Sequence, residues 1–328
     1  EMRIDTSGEL MGVGIQLSLD EETKELIVVS PIEGTPAFKG GVQPKDVIVS
    51  IDERNTKGMS IENAVKLIRG KKGTAVILGL RRNNKVINVN LVRERIEIKA
   101  VESHLNKTNK GVNVGYIRLK QFNANSPKEM RNAINTLEKK KAQGYVLDLR
   151  SNPGGLLEAS VEIGRQWLNE GIIVSTQTRD GIKDVRRANG KALTSQPLIV
   201  LVNEGSASAS EILSGAIQDN KRGFLVGQKT FGKGLVQSVR GLSDGSGMTV
   251  TIAKYLTPLG TDIHKNGINP DEISEFNSIN LTKFDLGTFK DNQYKTAENI
   301  LVKLILKNQN NTNYDYRSKN LKEAIINN

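Results

Sequence analysis

The sequence predicts an α/β protein, α+β overall, built as two domains and a C-terminal extension. Three observations carry that reading. Short β-rich runs bounded by turn residues fill residues 8–95 around a single helical segment. From Val114 to Gly227, apolar runs of strand length alternate with segments of helical period, the pattern of a largely parallel sheet flanked by helices. Beyond Asp271 the chain turns polar and rich in asparagine. At 328 residues both domains can bury a core, and the divisions fall at 8–96, 97–272 and 273–328.

In the first domain, Leu26–Val29, Asp46–Ile51, Ala75–Leu80 and Val86–Val92 read as strands. Ser60 opens a helix that carries Ile61, Ala64, Val65 and Ile68 on one face and stops at Gly70. A glycine loop, Gly12-Val13-Gly14-Ile15, leads into the strand Gln16–Leu19. Alone, such a loop is ordinary hairpin chemistry. Taken in order with Ile32-Glu33-Gly34-Thr35-Pro36-Ala37, Gly41–Ile48 and Asn63–Ile68, it resembles a PDZ domain. The resemblance implies that backbone N–H groups of Gly12, Val13, Gly14 and Ile15 hold the C-terminal carboxylate of a peptide or protein. The next strand would pair with that peptide by β-addition, and the Ser60–Arg69 helix would form the other wall.

In the second domain, Glu97 to Gly111 reads as a crossing connection and Val114–Leu119 as a strand. Ser126-Pro127-Lys128-Glu129 has the form of a capping box with proline at the first helical position. It opens a helix through Met130, Ala133, Ile134 and Leu137. Tyr145–Leu149 is a strand of buried type, followed by Arg150-Ser151-Asn152-Pro153-Gly154-Gly155 and a helix from Leu156 to Leu168. Irregular strands near Ile172–Thr178 precede the run Pro197–Val202. That run breaks at Asn203-Glu204-Gly205 and resumes at helical spacing with Ala209, Ile212, Leu213, Ala216 and Ile217. Strands follow at Phe224–Gly227, Leu235–Val239, Gly247–Ala253 and near Tyr255. In the extension, one helix is expected over Thr296–Lys307 and looser order elsewhere.

Composition narrows the chemistry. No cysteine is present, which rules out disulfides, thiolate nucleophiles and zinc–thiolate sites. Any Ser-His-Asp triad must use His104 or His264, and a histidine-rich metal site cannot be built; no metal or cofactor is expected. The net charge of +11 suits nucleic acid or an anionic membrane surface. The basic residues are dispersed, however, and aromatics make up only 4%, too few for a stacking platform. A solvated lysine-rich surface accounts for them without nucleic acid, while peripheral contact with a membrane surface stays open. No apolar run approaches the about 20 residues of a membrane-spanning helix.

Three turns hold the candidate chemistry. Ser206, Ser208 and Ser210 fall at the start of a helix, where unpaired N–H groups and the helix dipole favour negative charge. One serine suffices as a cap. The alternating Ser-Ala-Ser-Ala-Ser also keeps the backbone approachable, so a serine here can act as nucleophile beside ready-made donors. Gly154-Gly155 is either a plain turn or a place where a carbonyl approaches the main chain. Gly227–Lys233 fits the start of a Walker A loop, but Gly234 stands where Ser or Thr must meet magnesium. A strand pattern also follows where a phosphate loop opens a helix. Lys233 between two glycines can instead be a general base, provided burial holds its amine neutral.

From Gly8 to about Glu272 these motifs together resemble the carboxyl-terminal processing proteases, PDZ-bearing serine proteases of the Ser/Lys type. The matching stretches are Asp148–Gly155, Gly205–Ile212, Thr230–Gly234 with Gln237, and Tyr255–Pro258 leading to Gly267–Asp271. The resemblance implies a crotonase/ClpP-like core, no cofactor, and endopeptidase cleavage near the C-terminus of protein substrates. It implies Ser208 as nucleophile, Lys233 as its base, Gln237 as the residue orienting the lysine, and the N–H groups of Gly154 and Ala209 as the oxyanion hole. The opening Ile4–Leu10 most resembles the branch of photosynthetic bacteria and chloroplasts. There the substrate is a photosystem II reaction-centre precursor, which implies export to a periplasm or thylakoid lumen. A catalytically inactive PDZ scaffold is the competing expectation, and intact Ser208 and Lys233 argue against it.

Overall fold

Residues 9–20, 23–32, 34–97, 99–241, 247–276 and 285–310 are described by the structure, a computed structural model. Most of the Ile4–Leu10 stretch and the polar end of the extension, 311–328, lie outside the described residues. The chain folds as two units, one within residues 8–98 and one from residue 99 onward.

The first unit runs β1 (Glu9–Gly12), β2 (Ile15–Leu19), β3 (Leu26–Pro31), α1 (Pro36–Lys39), β4 (Val47–Ile51), β5 (Arg54–Asn55), α2 (Ile61–Ile68), β6 (Ala75–Arg82), β7 (Lys85–Val92) and β8 (Glu94–Glu97). An antiparallel sheet in the order β2-β3-β4-β6-β7 wraps a core of Leu26, Ile48, Ile51, Ala64, Leu78 and Leu80, with β5 beside β4 and β1 paired to β8. The Ser60 hydroxyl caps α2 by accepting the Asn63 N–H at 3.3 Å, as its sequence signal predicts. Buried Asp46 is forked by Arg82 Nε and Nη2, each at 2.7 Å. Burial pushes that carboxyl up, but Arg82 and the Gln43 N–H more than offset it and hold Asp46 below the usual carboxylate range.

The second unit contains β9 (Val101–Lys107), β10 (Asn113–Leu119), α3 (Ser126–Lys139), β11 (Gly144–Asp148), α4 (Leu157–Trp167), β12 (Ile172–Thr178), β13 (Gly181–Arg187), β14 (Leu198–Val202), α5 (Ala209–Asp219), β15 (Phe224–Gly227), β16 (Leu235–Gly241), β17 (Gly247–Leu256), β18 (Glu272–Ile273) and α6 (Asn292–Asn310). Its main sheet has the order β18-β15-β14-β11-β10-β9 and is parallel except for β9. Side chains alternate between two apolar layers. Tyr145, Leu147, Val200 and Leu225 face α3, α4 and α5, while Val146, Ile199, Leu201 and Val226 face α6. Burial on both faces is why these strands run apolar without alternation. A second, antiparallel sheet, β13-β12-β17-β16, stands beside the first.

Four expectations change. The stretch read as a crossing connection contains β9, an edge strand whose polar residues at 102–104 face solvent and so hide the alternation. The strands expected at 247–253 and near Tyr255 are one continuous β17. The capping box at Ser126 does not form: Asn123 Oδ1 takes the Asn125 and Ser126 N–H groups, and Glu129 reaches across to the Ala100 and Val101 N–H groups at 2.8 and 3.0 Å. The helix expected over Thr296–Lys307 begins at Asn292, because Asp291 accepts the Tyr294 N–H at its first turn.

Candidate active site

Strands β11, β14 and β15 are parallel neighbours, so their carboxyl ends open onto one edge of the sheet, where α/β folds place ligands. The loops leaving them carry the three motifs singled out above. Gly155 brackets Phe122: Phe122 N donates to Gly154 O and Leu156 N to Phe122 O, at 2.9 and 2.8 Å. A Cβ on Gly155 would lie 2.0 Å from Phe122 O, so only glycine fits. A Cβ on Gly154 would meet Ala207 O, Ala209 N and the Ser208 side chain within 3 Å, which places this glycine directly against the serine turn.

The three serines part company here. Ser206 Oγ donates to Leu149 O and Ser210 Oγ to Asn152 O, both at 2.8 Å and both buried. These two hydroxyls fasten the serine turn to the Arg150–Gly155 loop, helped by Ala207 N donating to Asn152 O and Ser151 N donating to Asn203 Oδ1. Ser208 is half-buried, and its hydroxyl donates to no acceptor among the described residues. It is the N-cap of α5, at φ 54° and ψ −112°, a conformation that L-residues rarely adopt. Strain of this kind pushes one side chain out of a strand-to-helix turn, as at a nucleophile elbow. The Ala209 N–H, in the first turn of α5, has no acceptor among the described residues. The Gly154 N–H donates to Asn152 Oδ1 at 2.9 Å.

Glu211 is the residue that motif reading left without a role. Its side chain is fully buried. Oε2 accepts the Ser208 and Lys233 N–H groups, each at 2.8 Å, and Oε1 accepts Thr230 Oγ and the Gly232 N–H, each at 2.6 Å. One carboxylate therefore ties the serine turn to the lysine loop. Phe231 N donating to Ser206 O at 3.0 Å adds a second tie. The Ser208-x-x-Glu211 spacing was the available signal, because it forms a capping box. Lys233 itself is exposed, unlike the buried amine the sequence suggests. Its flanking glycines explain why: Gly232 and Gly234 press their backbones against 263–267, with a Cβ on Gly234 falling 2.3 Å from His264 N, and the side chain between them points away from the packing. After the loop comes β16 rather than a helix, which removes the phosphate-loop alternative. Gln237 lies on β16 opposite Thr251; its side chain is outside the described part of the structure.

In the first unit, the loop from Gly12 to Gly14 joins β1 to β2, and β2 ends its sheet with an edge facing α2. Gly14 has φ +78°, and a Cβ there would overlap Thr35. A cavity of about 90 Å³ lies between Gly12, Ile15, Leu17, Val65, Ile68 and Arg69.

A half-buried hydroxyl that donates to no described acceptor, on a strained strand-to-helix turn beside the open Ala209 N–H, is the arrangement of a hydrolase of the serine-nucleophile class. Comparison with known proteins is specific. Residues 113–274 match the model of peptidase family S41 and residues 27–82 that of the PDZ domain. A carboxyl-terminal-processing protease of Synechocystis is 47% identical over 303 residues, covering 92% of this chain and 70% of its own. A carboxy-terminal processing protease of Bacillus subtilis is 38% identical over 318 residues, covering 94% and 67%. Among solved structures, a photosystem II D1 C-terminal processing protease is 38% identical with a TM-score of 0.53, over 84% of this chain and 75% of that one. The chain belongs to the carboxyl-terminal-processing proteases of peptidase family S41, PDZ-bearing serine peptidases that act on protein C-termini.

Proposed function

We propose that Ser208 is the nucleophile and Lys233 its general base, in an endopeptidase that receives the substrate C-terminus in its PDZ groove. The observation that carries this is the shared carboxylate of Glu211, which accepts the N–H of both residues and fixes their backbones together. In the reaction, neutral Lys233 Nζ takes the Ser208 proton while Oγ attacks the scissile carbonyl. The oxyanion is held by the Ala209 N–H and by the Gly154 N–H, which exchanges Asn152 Oδ1 for the substrate oxygen. Lys233 then returns the proton to the leaving amine, and an acyl-enzyme ester remains. Water, deprotonated by the same lysine, hydrolyses the ester and releases Ser208. Gln237 orients the lysine, and the N–H groups of Gly12, Val13, Gly14 and Ile15 bind the substrate carboxylate.

On this reading the substrate is a reaction-centre precursor with a C-terminal extension, and the enzyme is exported to a periplasm or thylakoid lumen. Relatives of chloroplasts and cyanobacteria support this. The test compares wild type with Ser208→Ala and Lys233→Ala on a protein substrate and on a covalent serine-directed probe. Both variants should stay folded and lose cleavage, and Ser208→Ala should lose labelling. Full turnover by either variant refutes the assignment, and wild type that binds peptide but never labels supports an inactive scaffold.

A further inference from the structure

We infer that Asp291, at the start of the C-terminal helix α6, is a positioning residue for the reaction: through Arg150 it sets the loop that carries Asn152 and Gly154. The inference rests on the reading of Ser208 and Gly154 above. It concerns a segment that lies beyond the 113–274 family match and for which the motifs suggest no role.

Arg150 is nearly buried, and each of its five guanidinium N–H donors has an acceptor. Nε and Nη2 fork Asp148 at 2.9 and 2.6 Å; Nη1 and Nη2 fork Asp291 at 3.0 and 2.6 Å; Nη1 also reaches Gln293 Oε1 at 2.9 Å. The Phe276 ring covers the group, 5.6 Å from Cζ. Two of these hydrogen bonds go to β11 and three to the entry of α6. Asp148 is anchored on its own side by the Tyr116 hydroxyl at 2.6 Å. Asp291 is fully buried and anchored on the other, accepting the Gly287 and Tyr294 N–H groups at 3.1 Å each. Gln293 is tied back to Ser274 O at 2.6 Å.

From Arg150 the path to the reacting atoms is short. Asn152 stands two residues on, fully buried, with its N–H on Leu149 O. Its carbonyl accepts Ala207 N and Ser210 Oγ, and its Oδ1 accepts the Gly154 N–H. Asp148 holds the Nε–Nη2 edge of the guanidinium and Asp291 the Nη1–Nη2 edge, so without Asp291 one edge is left to relax with whatever replaces it. Asp291 thus removes a degree of freedom from the loop whose N–H must meet the oxyanion. A misplacement of about 1 Å there is enough to cost roughly a hundredfold in rate.

The test uses the full chain, a fluorogenic peptide with a free C-terminal carboxylate, and active sites counted with a fluorophosphonate. Asp291→Asn is compared with Leu301→Ala, which weakens α6 at its contact with Gly144, away from Arg150. Asp291→Asn should lower kcat per titrated site about ten- to a hundredfold with KM within twofold. Leu301→Ala should keep kcat per site while losing at least as much thermal stability. Equal kcat per site in Asp291→Asn and wild type overturns the inference, as does a kcat loss in both variants that merely follows stability. Should Asp291→Asn fail to fold, Gln293→Met carries the same test by withdrawing one Arg150 acceptor: a severalfold fall in kcat at constant KM supports the inference, and an unchanged kcat overturns it. Ser208→Ala run in parallel separates the two readings. If it still cleaves, the Ser208 assignment fails; if it is dead while Asp291→Asn is normal, only the inference fails.

Discussion

Ser208 sits at φ 54°, a backbone conformation that costs roughly 1–3 kcal/mol and persists only where surrounding bonds impose it. Glu211 imposes it, because its buried carboxylate meets four donors and offers none. Glu211→Gln would place an NH2 group against two of those donors. We expect a fall in kcat of about a hundredfold or more and a stability loss of roughly 1–3 kcal/mol, read by turnover per titrated serine and by urea unfolding. An intact kcat would show that the carboxylate does not couple the two turns. At this scale the turns that carry Ser208, Gly154 and Lys233 were legible because each lies in a compact local motif. The reach of Glu211 was not, since its partners Thr230 and Lys233 lie 19 and 22 residues away and meet it only once β14 and β15 are paired. The setting of Lys233 was misread for a related reason: flanking glycines signal backbone packing, and backbone packing leaves the side chain outside.

At the scale of elements, the apolar strands were legible because burial on both faces forces unbroken apolar runs. What covers the second face was not evident. The asparagine-rich extension supplies it, and α6 turns Ala297, Leu301, Leu304 and Ile305 onto Val146, Ile199 and Leu201. Polar residues on its remaining sides dilute that stripe in the sequence. The contact is close, since a Cβ on Gly144 would stand 2.9 Å from both Leu301 and Ile305. Leu301→Ala should therefore cost about 2–5 kcal/mol, the range for emptying a fully buried leucine site. Denaturant unfolding measures it, and a loss below about 1 kcal/mol would mean that α6 is not an integral layer of the core. Strand β9 escaped notice for the opposite reason, because an edge strand needs few apolar residues to be held by its one neighbour, β10.

At the scale of the whole molecule, on the proposed reading selection of the substrate and cutting of the peptide bond fall to different units, so the two should separate in kinetics. Under the proposal above, the groove beside β2 and α2 holds the substrate's end and does not enter the chemical step. Interactions equal in ground state and transition state change KM and leave kcat alone. Val65 lines the cavity of about 90 Å³, so Val65→Trp should fill it. With a free-carboxylate peptide, we expect KM to rise about tenfold, the equivalent of roughly 1.4 kcal/mol, at constant kcat. Amidating the peptide's C-terminus should raise KM for wild type, because the backbone donors of the glycine loop lose their charged acceptor. The same amidation should change little in Val65→Trp, whose groove is already closed. Additive effects of the two changes would place carboxylate recognition outside the Gly12–Ile15 loop, and a fall in kcat with either one would mean that the first unit acts in the chemical step as well.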